Sequence, residues 1–357
     1  MMKKRKIFVS AALLGSATSV TYAQSSVTIY GVLDAAVTYA HASGAGSKFS
    51  MDSSGLSSSK FGLIGTEDLG GGLSAGFTLE GDIYPTNGTG GTASVDNTAA
   101  ATSSLFGRRS FVSLKSKQYG EIRLGRDFSP TYWNLFLFDP FVLLGVGSSS
   151  VFTLASAGVT AARTSNSVFY LTPDTLGGFF AEGDYAFGNK PYDLADGTGH
   201  DGNFAGLRLG YEGHDLRVAA AMSNVTYKVG DIREINVGGT YDFKIIKAYG
   251  LYQNVRVGSS GRIQSTYLLG GMIPVGPDAI RFSVNRLHEH GDSSRDAMLF
   301  AVGYIYNLSK RTSLYGTAAF MANHSKAAYA MSQTSGALTP EAGGNDTGVQ
   351  FGIVTRF

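Results

Sequence analysis

Apolar and polar residues alternate over most of the chain, and the alternation is clearest at its end. Val349, Phe351, Ile353 and Phe357 fall on one face of an extended strand, and Thr355 is the only polar residue on that face. A strand that shows one face to lipid and the other to water has this pattern, with aromatic residues at its ends. The segment therefore predicts a transmembrane β-barrel, with Phe357 as its closure and assembly signal.

Two kinds of connection alternate between the predicted strands. Seven are short and rich in turn-forming residues, and eight are longer and polar or glycine-rich. Outer-membrane barrels have an even number of strands, with short turns on one side and long loops on the other. The pattern predicts an all-β antiparallel barrel of 16 strands; a soluble β-sandwich or β-helix would not explain the alternation. The long loops are expected at 41–58, 84–104, 127–164, 188–202, 224–233, 256–262, 289–296 and 322–347.

The first 23 residues differ from the rest of the chain. Four positive charges at 3–6 are followed by an apolar run at 7–14 and by small residues that end with Ala23. These are the three regions of a secretory signal peptide, and the apolar run is too short to cross a bilayer. We expect residues 1–23 to be a cleaved signal peptide and residues 24–357 to form one barrel domain.

Composition narrows the possible functions further. The chain has no cysteine, which excludes disulfides, thiolate metal sites and cysteine nucleophiles. It has 29 Lys+Arg and 27 Asp+Glu, and removal of the four bases at 3–6 leaves 25 against 27, a net charge of −2. Such a balance gives no reason to expect nucleic acid as a partner. Beyond the predicted signal peptide no apolar run is long enough for a membrane helix, so a membrane form must be a closed barrel.

The third long connection, residues 127–164, is the longest and the least polar, and 132–144 is more hydrophobic than most strands. On a surface it would expose a large apolar patch. We expect it to fold back into the barrel lumen; packing against a neighbouring subunit is the alternative. Its aromatic residues either pack the loop to the wall or form a sliding surface for an apolar or sugar substrate. They are Trp133, Phe136, Phe138 and Phe141.

Alternation also predicts which bases face the lumen, because a charge on the lipid face costs about 2–4 kcal/mol at the midplane. Lys60, Arg109 and Arg123 have the parity opposite to their apolar neighbours, and Arg163 shares the parity of nearby serines. Two further bases have the lipid-facing parity but lie near loop ends, where a bulge or the fold-back of the long loop could re-aim them. They are Arg108 and Arg126.

These residues form a candidate pore constriction. Bases on the wall, across from acids on the third loop, would create a transverse field, and rings of charge select ions by sign. The alternative is that the charges are solvated, paired locally and of little effect on flux. The wall candidates are Lys60, Arg108, Arg109, Arg123, Arg126 and Arg163, and the third-loop candidates are Asp127, Trp133, Phe138 and Asp139.

Several segments carry a family resemblance. They include SVTIYGVLD at 26–34, KFGLIGTEDLGGG at 60–72, LFGRR at 105–109, LGRD at 124–127, 249–252, 308–312 and the final Phe357. Together they resemble the general diffusion porins of β-proteobacteria, the Neisseria, Bordetella and Burkholderia group. The resemblance covers residues 24–357 and implies a trimer of 16-stranded barrels, each with the third loop inside and a basic patch opposite.

By the same resemblance, Lys60, Arg108 and Arg163 take the positions of the family's constriction bases. The chain departs from the family pattern in three places. Lys60 stands where arginine is usual, Ile64 stands where a base is common, and the third loop is unusually apolar. These departures weaken the positive field, so the choice between anions and cations stays open.

The expected function is a passive, water-filled outer-membrane channel for small hydrophilic solutes and ions, with no cofactor, no metal and no enzymatic activity. A substrate-specific porin with a binding site on the apolar loop is one alternative, and an outer-membrane barrel enzyme is another. The motif His288-Glu289-His290 suggests a metal site only weakly, because no third ligand is identifiable. Expected partners are two further copies in a homotrimer, outer-membrane lipid and lipopolysaccharide, and the barrel-assembly machinery, which would recognise the last strand.

Overall fold

The computed structural model describes residues 26–98, 101–155 and 157–357. The predicted signal peptide, residues 1–23, lies outside the described residues. The elements are β1 (Ser26–Ala42), β2 (Gly46–Ser53), β3 (Lys60–Gly70), β4 (Leu73–Tyr84), β5 (Thr89–Gly90), β6 (Thr92–Ser94), β7 (Ala101–Ser103), β8 (Arg109–Ser116), β9 (Gly120–Phe128), α1 (Pro130–Leu137), α2 (Ser150–Thr153), β10 (Arg163–Leu171), β11 (Phe179–Ala186), β12 (Phe204–Glu212), β13 (Leu216–Val225), β14 (Ile232–Asp242), β15 (Lys247–Val257), β16 (Arg262–Val275), β17 (Asp278–Glu289), β18 (Ala297–Asn307), β19 (Thr312–Asn323) and β20 (Asp346–Arg356).

The long strands form one closed antiparallel sheet. One edge of β1 pairs with β20, and its other edge pairs with β3 along 26–32 and with β2 along 35–42. β2 and β3 therefore act as a single wall strand with an interruption at 54–59. Counted in this way, the described residues form 16 wall strands, while β5, β6 and β7 lie in the connection between β4 and β8. The predicted 16-stranded barrel is confirmed.

Two of the predicted long loops are wrong. The segment predicted as a loop at 41–58 contains β2, which a tight turn joins to β1, because its residues continue the alternation of the sheet with Phe49 and Met51 exposed. The connection after β15 is also short, at 258–261. The buried carboxylate of Asp34 holds the interruption between β2 and β3, since its Oδ2 accepts hydrogen bonds of 2.7 Å from two successive backbone amides. These are the amides of Leu56 and Ser57.

Most wall strands have an exposed, mainly apolar face and a more buried inner face. In β13, Leu216, Val218 and Met222 are exposed, whereas Ala219 and Ala221 are buried. An apolar outward band is the surface that a barrel presents to lipid. No helix among the described residues is long and apolar enough to cross a membrane.

The segment between β9 and β10, residues 129–162, is called the third loop below. It begins with α1, where Ser129 caps the helix by accepting a hydrogen bond from the Tyr132 amide, and Pro130 occupies the first turn. The third loop contributes to two apolar clusters with buried residues of β13 and β15 to β19. One cluster joins Tyr132, Leu135, Phe138 and Leu143 to Ala219, Leu251 and Leu268, and the other joins Phe141, Val146 and Phe152 to Leu287, Leu299 and Met321. The core of the molecule therefore lies between this loop and the inner face of the wall.

Candidate functional site: a charged wall facing the third loop

Two carboxylates of β4 hold two of the predicted bases. Glu80 Oε2 lies 3.2 Å from Lys60 Nζ, and Glu80 Oε1 accepts a hydrogen bond of 2.7 Å from Arg108 Nε. Arg108 Nη1 donates to Asp82 Oδ1 at 2.8 Å, and Tyr30 donates to Glu80 at 2.7 Å. Arg108 precedes β8, so the parity of that strand does not fix the direction of its side chain. It turns toward Lys60 and is buried as part of a matched ion-pair network.

A second network joins β8 to β9. Arg109 binds Asp127 through two hydrogen bonds of 2.8 and 3.1 Å, and Arg123 Nη1 reaches the same carboxylate at 2.9 Å. Arg123 also forms two bonds of 2.9 Å with Glu121. Asp127 belongs to β9, so its expected position on the third loop opposite the bases is wrong. The Asp127 carboxylate instead accepts hydrogen bonds from two arginines of the neighbouring wall, Arg109 on β8 and Arg123 on β9.

Arg163 is held by an aromatic ring. Its Cζ lies 4.6 Å from the centre of the Phe128 ring, and the Tyr132 ring stacks on Phe128 at 4.8 Å. A guanidinium over an aromatic face is attracted by the ring quadrupole. Among the described residues Arg163 forms no ion pair with a carboxylate, and its Nε has no hydrogen-bond partner. Its positive charge is therefore not cancelled locally.

Arg126 does not join either network. It donates to the carbonyl oxygens of Gly107 at 2.7 Å and Ser94 at 3.3 Å, and to Ser165 Oγ at 2.7 Å. It has the parity of the exposed Leu124, and it ties the connection between β4 and β8, which contains Gly107 and Ser94, to strand β10. The expectation that Arg126 turns to the same cluster as Lys60 and Arg108 is wrong for this reason.

Asp139 lies inside the third loop. It is fully buried and accepts hydrogen bonds from the Phe141 amide at 2.7 Å, the Ser149 amide at 3.1 Å and Ser149 Oγ at 2.7 Å. Burial raises the pKa of the Asp139 carboxyl above its usual range, although these donors oppose the shift. Asp139 therefore does not face the bases of the wall as expected, because its carboxylate binds the backbone and a serine of its own loop.

The two aromatic candidates of the third loop occupy different places. Phe138 is fully buried against the inner face of the wall. Trp133 is only partly buried and borders a cavity of about 180 Å³ between the wall and the loop. On the wall side this cavity is lined by Lys60, Glu80, Arg108 and Arg109, and on the loop side by Trp133, Phe136, Val142 and Leu144.

Sequence reasoning missed three residues that organise the site, namely Glu80, Asp82 and Phe128. The two carboxylates could have been found, because Thr78, Glu80 and Asp82 share one parity in β4 while apolar residues take the other. Phe128 gave no such signal, since its role depends on Arg163 and Tyr132 meeting it from separate elements.

The His288-Glu289-His290 motif does not converge on one point. His288 Nδ1 lies 3.0 Å from Asp296 Oδ2, and His290 Nε2 lies 2.9 Å from Ser265 Oγ. Glu289 is buried and pairs with Arg262 on the opposite face of the strand. Burial raises the pKa of the Asp296 carboxyl, but its hydrogen bonds, of which that with His288 has the largest effect, hold this pKa below the usual range. The described residues contain no group of three metal-ligating side chains.

Comparison with known proteins agrees with this architecture. The sequence profile of the Gram-negative porins matches residues 10–326. Outer membrane porin protein 32 of Delftia acidovorans is 37% identical over 369 residues, which cover 99% of this chain and 100% of that protein. The chain belongs to the Gram-negative porin family. An outer membrane porin protein of Bordetella pertussis is 26% identical to this porin. The match covers 89% of this chain and 94% of the Bordetella protein.

Solved structures place this porin in the same fold. The anion-selective porin from Comamonas acidovorans has a TM-score of 0.83 and 34% identity, with 94% of this chain and 100% of that chain covered. Salmonella typhi OmpF, in complex with daunomycin, has a TM-score of 0.63 at 14% identity, over 93% and 97% of the two chains. That second likeness shows the fold alone. Family membership assigns the protein to the Gram-negative outer membrane and indicates a channel, as the sequence predicted.

Proposed function

We propose that this porin is a general diffusion channel, through which small hydrophilic solutes and ions pass in water. The channel is narrowest between the third loop and five wall residues, called the basic wall: Lys60, Arg108, Arg109, Arg123 and Arg163. The observation that carries the proposal is a cavity of about 180 Å³ between the third loop and three of these residues, Lys60, Arg108 and Arg109; it has charges on one side and apolar side chains on the other. A charged rim on a water-filled path acts on ions by sign while leaving neutral solutes free to diffuse.

The charge of the basic wall favours a weak preference for anions. Four of its five bases contact four carboxylates, so one positive charge remains in excess. The remaining charge is best assigned to Arg163, which contacts an aromatic ring and no acid among the described residues. The third loop carries a single acidic residue, the buried Asp139, and no Lys or Arg. The similar porin from Comamonas acidovorans is described as anion-selective.

The assembly proposals concern both ends of the chain. We infer that residues 1–23 direct export and are removed, and that three copies assemble as a homotrimer. The last strand supports recognition by the barrel-assembly machinery, because Phe357 and Gly31 exchange two backbone hydrogen bonds of 3.1 Å at the closing seam of the barrel. Outer-membrane lipid and lipopolysaccharide would surround the exposed apolar band.

Planar-bilayer recording tests the channel directly. Folded, purified trimer should give stable conductance steps, with closures in thirds if each barrel conducts separately. The reversal potential in a salt gradient should have the sign of a weakly anion-selective pore. A bilayer that stays at baseline conductance after addition of folded trimer would contradict the proposal.

A substrate-specific porin is the second candidate, and one observation favours it. Trp133 and Phe136 lie on the same cavity as the charged residues Lys60 and Arg109, so a solute could contact an aromatic ring and a charge together. Flux that saturates with one solute would favour this candidate, whereas flux proportional to concentration for every small solute would favour general diffusion. A barrel enzyme has no comparable observation in its favour.

A further inference from the structure

The outer face of the wall carries an open apolar groove of about 510 Å³ on β12, β13 and β14. Its floor is a row of exposed apolar side chains on adjacent strands, because Leu207 is the register partner of Met222 and Met222 is the register partner of Ile235. This row lies on the side of the wall that faces lipid.

A row that is polar on three of its four strands lies two residues closer to the end of the barrel that carries the third loop. Ala205 pairs with Asn224, Asn224 with Arg233, and Arg233 with Arg256 on β15. Arg233 and Arg256 have the outward parity, are exposed and immediately border the connections at 226–231 and 258–261. These two connections lie at the same end of the barrel as the third loop. In outer-membrane barrels the longer connections lie on the extracellular side, so this row is expected near the outer leaflet's headgroups.

Two arginines that are direct register partners repel each other. Directly opposite residues of antiparallel strands have Cβ atoms about 4.5–5.5 Å apart, and like charges at such positions destabilise the pair. Arg233 is partly balanced by Asp231, whose Oδ2 lies 3.7 Å from Nη2, and it donates to Asn224 Oδ1 at 3.1 Å. Arg256 has no ion pair within the described part of the chain. An anion between the two guanidinium groups would remove the repulsion.

We propose that this groove is a binding site for an anionic lipid of the outer leaflet, with a lipid phosphate between Arg233 and Arg256. An acyl chain of the same lipid lies along Leu207, Met222 and Ile235. Arginine forks bind phosphate oxygens in a bidentate manner, and basic residues at a membrane surface attract anionic lipid. The adjoining apolar row favours a lipid over free phosphate. The site faces away from the pore, so it does not depend on the proposed conduction.

Native mass spectrometry of the delipidated, folded trimer in detergent tests the site, with bisphosphorylated lipid A as the probe. We expect the double variant R233Q/R256Q to bind the probe at least about tenfold more weakly than wild type, which corresponds to about 1.4 kcal/mol. Ala205→Phe, which fills the groove and keeps both arginines, should also weaken binding. Arg295→Gln is the matched control, because it removes an exposed arginine that pairs with Asp292 in a connection at the same end of the barrel.

Two further arms identify the ligand chemistry. Lipid A without phosphates should bind weakly, and inorganic phosphate should not displace the phosphorylated lipid at comparable concentration. Unchanged binding by R233Q/R256Q, or equal binding of the dephosphorylated lipid, would overturn the proposal. Displacement by inorganic phosphate would replace the lipid site with a simple anion site. Binding to monomers but not to trimers would show that a second copy covers the groove, which would also overturn it. Conductance and the heat-dependent gel shift of each variant establish that the barrel has folded.

Discussion

The ring of Phe357 lies against the backbone of Gly31, so closely that a Cβ added to Gly31 would overlap the ring. Gly31→Leu should therefore displace the ring and lower the yield of folded barrel, which the heat-dependent gel shift measures. Gly183→Leu is the matched control. Gly183 lies on another wall strand, β11, and a Cβ added to it would meet no atom within 4 Å. Equal yields for the two variants would show that the contact between Phe357 and Gly31 has no role in assembly.

Asp127 neutralises two bases of the basic wall, so its removal should strengthen the preference for anions. Asp127→Asn keeps the shape of the side chain but leaves Arg109 and Arg123 without their shared carboxylate. The reversal potential in a salt gradient should shift in the anion-selective direction. Asp174→Asn provides the control, because it removes an exposed carboxylate that pairs with Lys115 and with no residue of the basic wall. An unchanged reversal potential would mean that the two arginines are not part of the conducting path.

Arg126 and Arg163 lie on the paired strands β9 and β10 but should differ in effect. Arg163→Gln removes the wall charge that no carboxylate balances, and we expect it to reduce the anion preference. Arg126→Gln removes hydrogen bonds to Gly107 and Ser94, so it should lower thermal stability with little change in reversal potential. Equal shifts in reversal potential for both variants would contradict the separate roles given to them.

Phe138 fixes the third loop to the wall. It is fully buried, and Phe→Ala substitutions in such cores cost about 3–5 kcal/mol. Because the loop is tethered at both ends, we expect Phe138→Ala to loosen it locally, with larger and noisier single-channel currents. Phe243→Ala removes an exposed ring near a short turn and should leave the currents unchanged. Quiet currents of unaltered size in Phe138→Ala would indicate that the loop does not limit the pore.

The sequence predicted the barrel because strand alternation is a local property that the sheet enforces at every residue. Alternation also predicts the inward parity of Arg109 and Arg123, and the same parity rule applied to β4 predicts that Glu80 and Asp82 face inward. The same alternation is present in β2, but the serines and the lysine around Phe49 and Met51 give this segment the composition of a polar loop.

Alternation carries no information about connections, and the site errors lie there. Asp139 meets Ser149 because the third loop turns back on itself, and Arg126 meets Ser94 because a separate connection folds toward it. Neither contact follows from spacing along the chain. The pairing of Asp127 with Arg109 and Arg123 could not be predicted from the sequence either, since it depends on the register between β8 and β9.

The third loop exposes no ionised group, since its single carboxylate is buried within it and it contains no base. In the channel proposed above, the width of the narrowest part and its charge selectivity are therefore assigned to different parts of the molecule. Aromatic and aliphatic replacements on the loop would act as a mechanical adjustment of which solutes fit. Single charge changes in the basic wall, on β3, β8, β9 or β10, would alter ion selectivity while the third loop itself stays in place. In such a channel, substitutions can change the charge selectivity and the size limit for solutes independently.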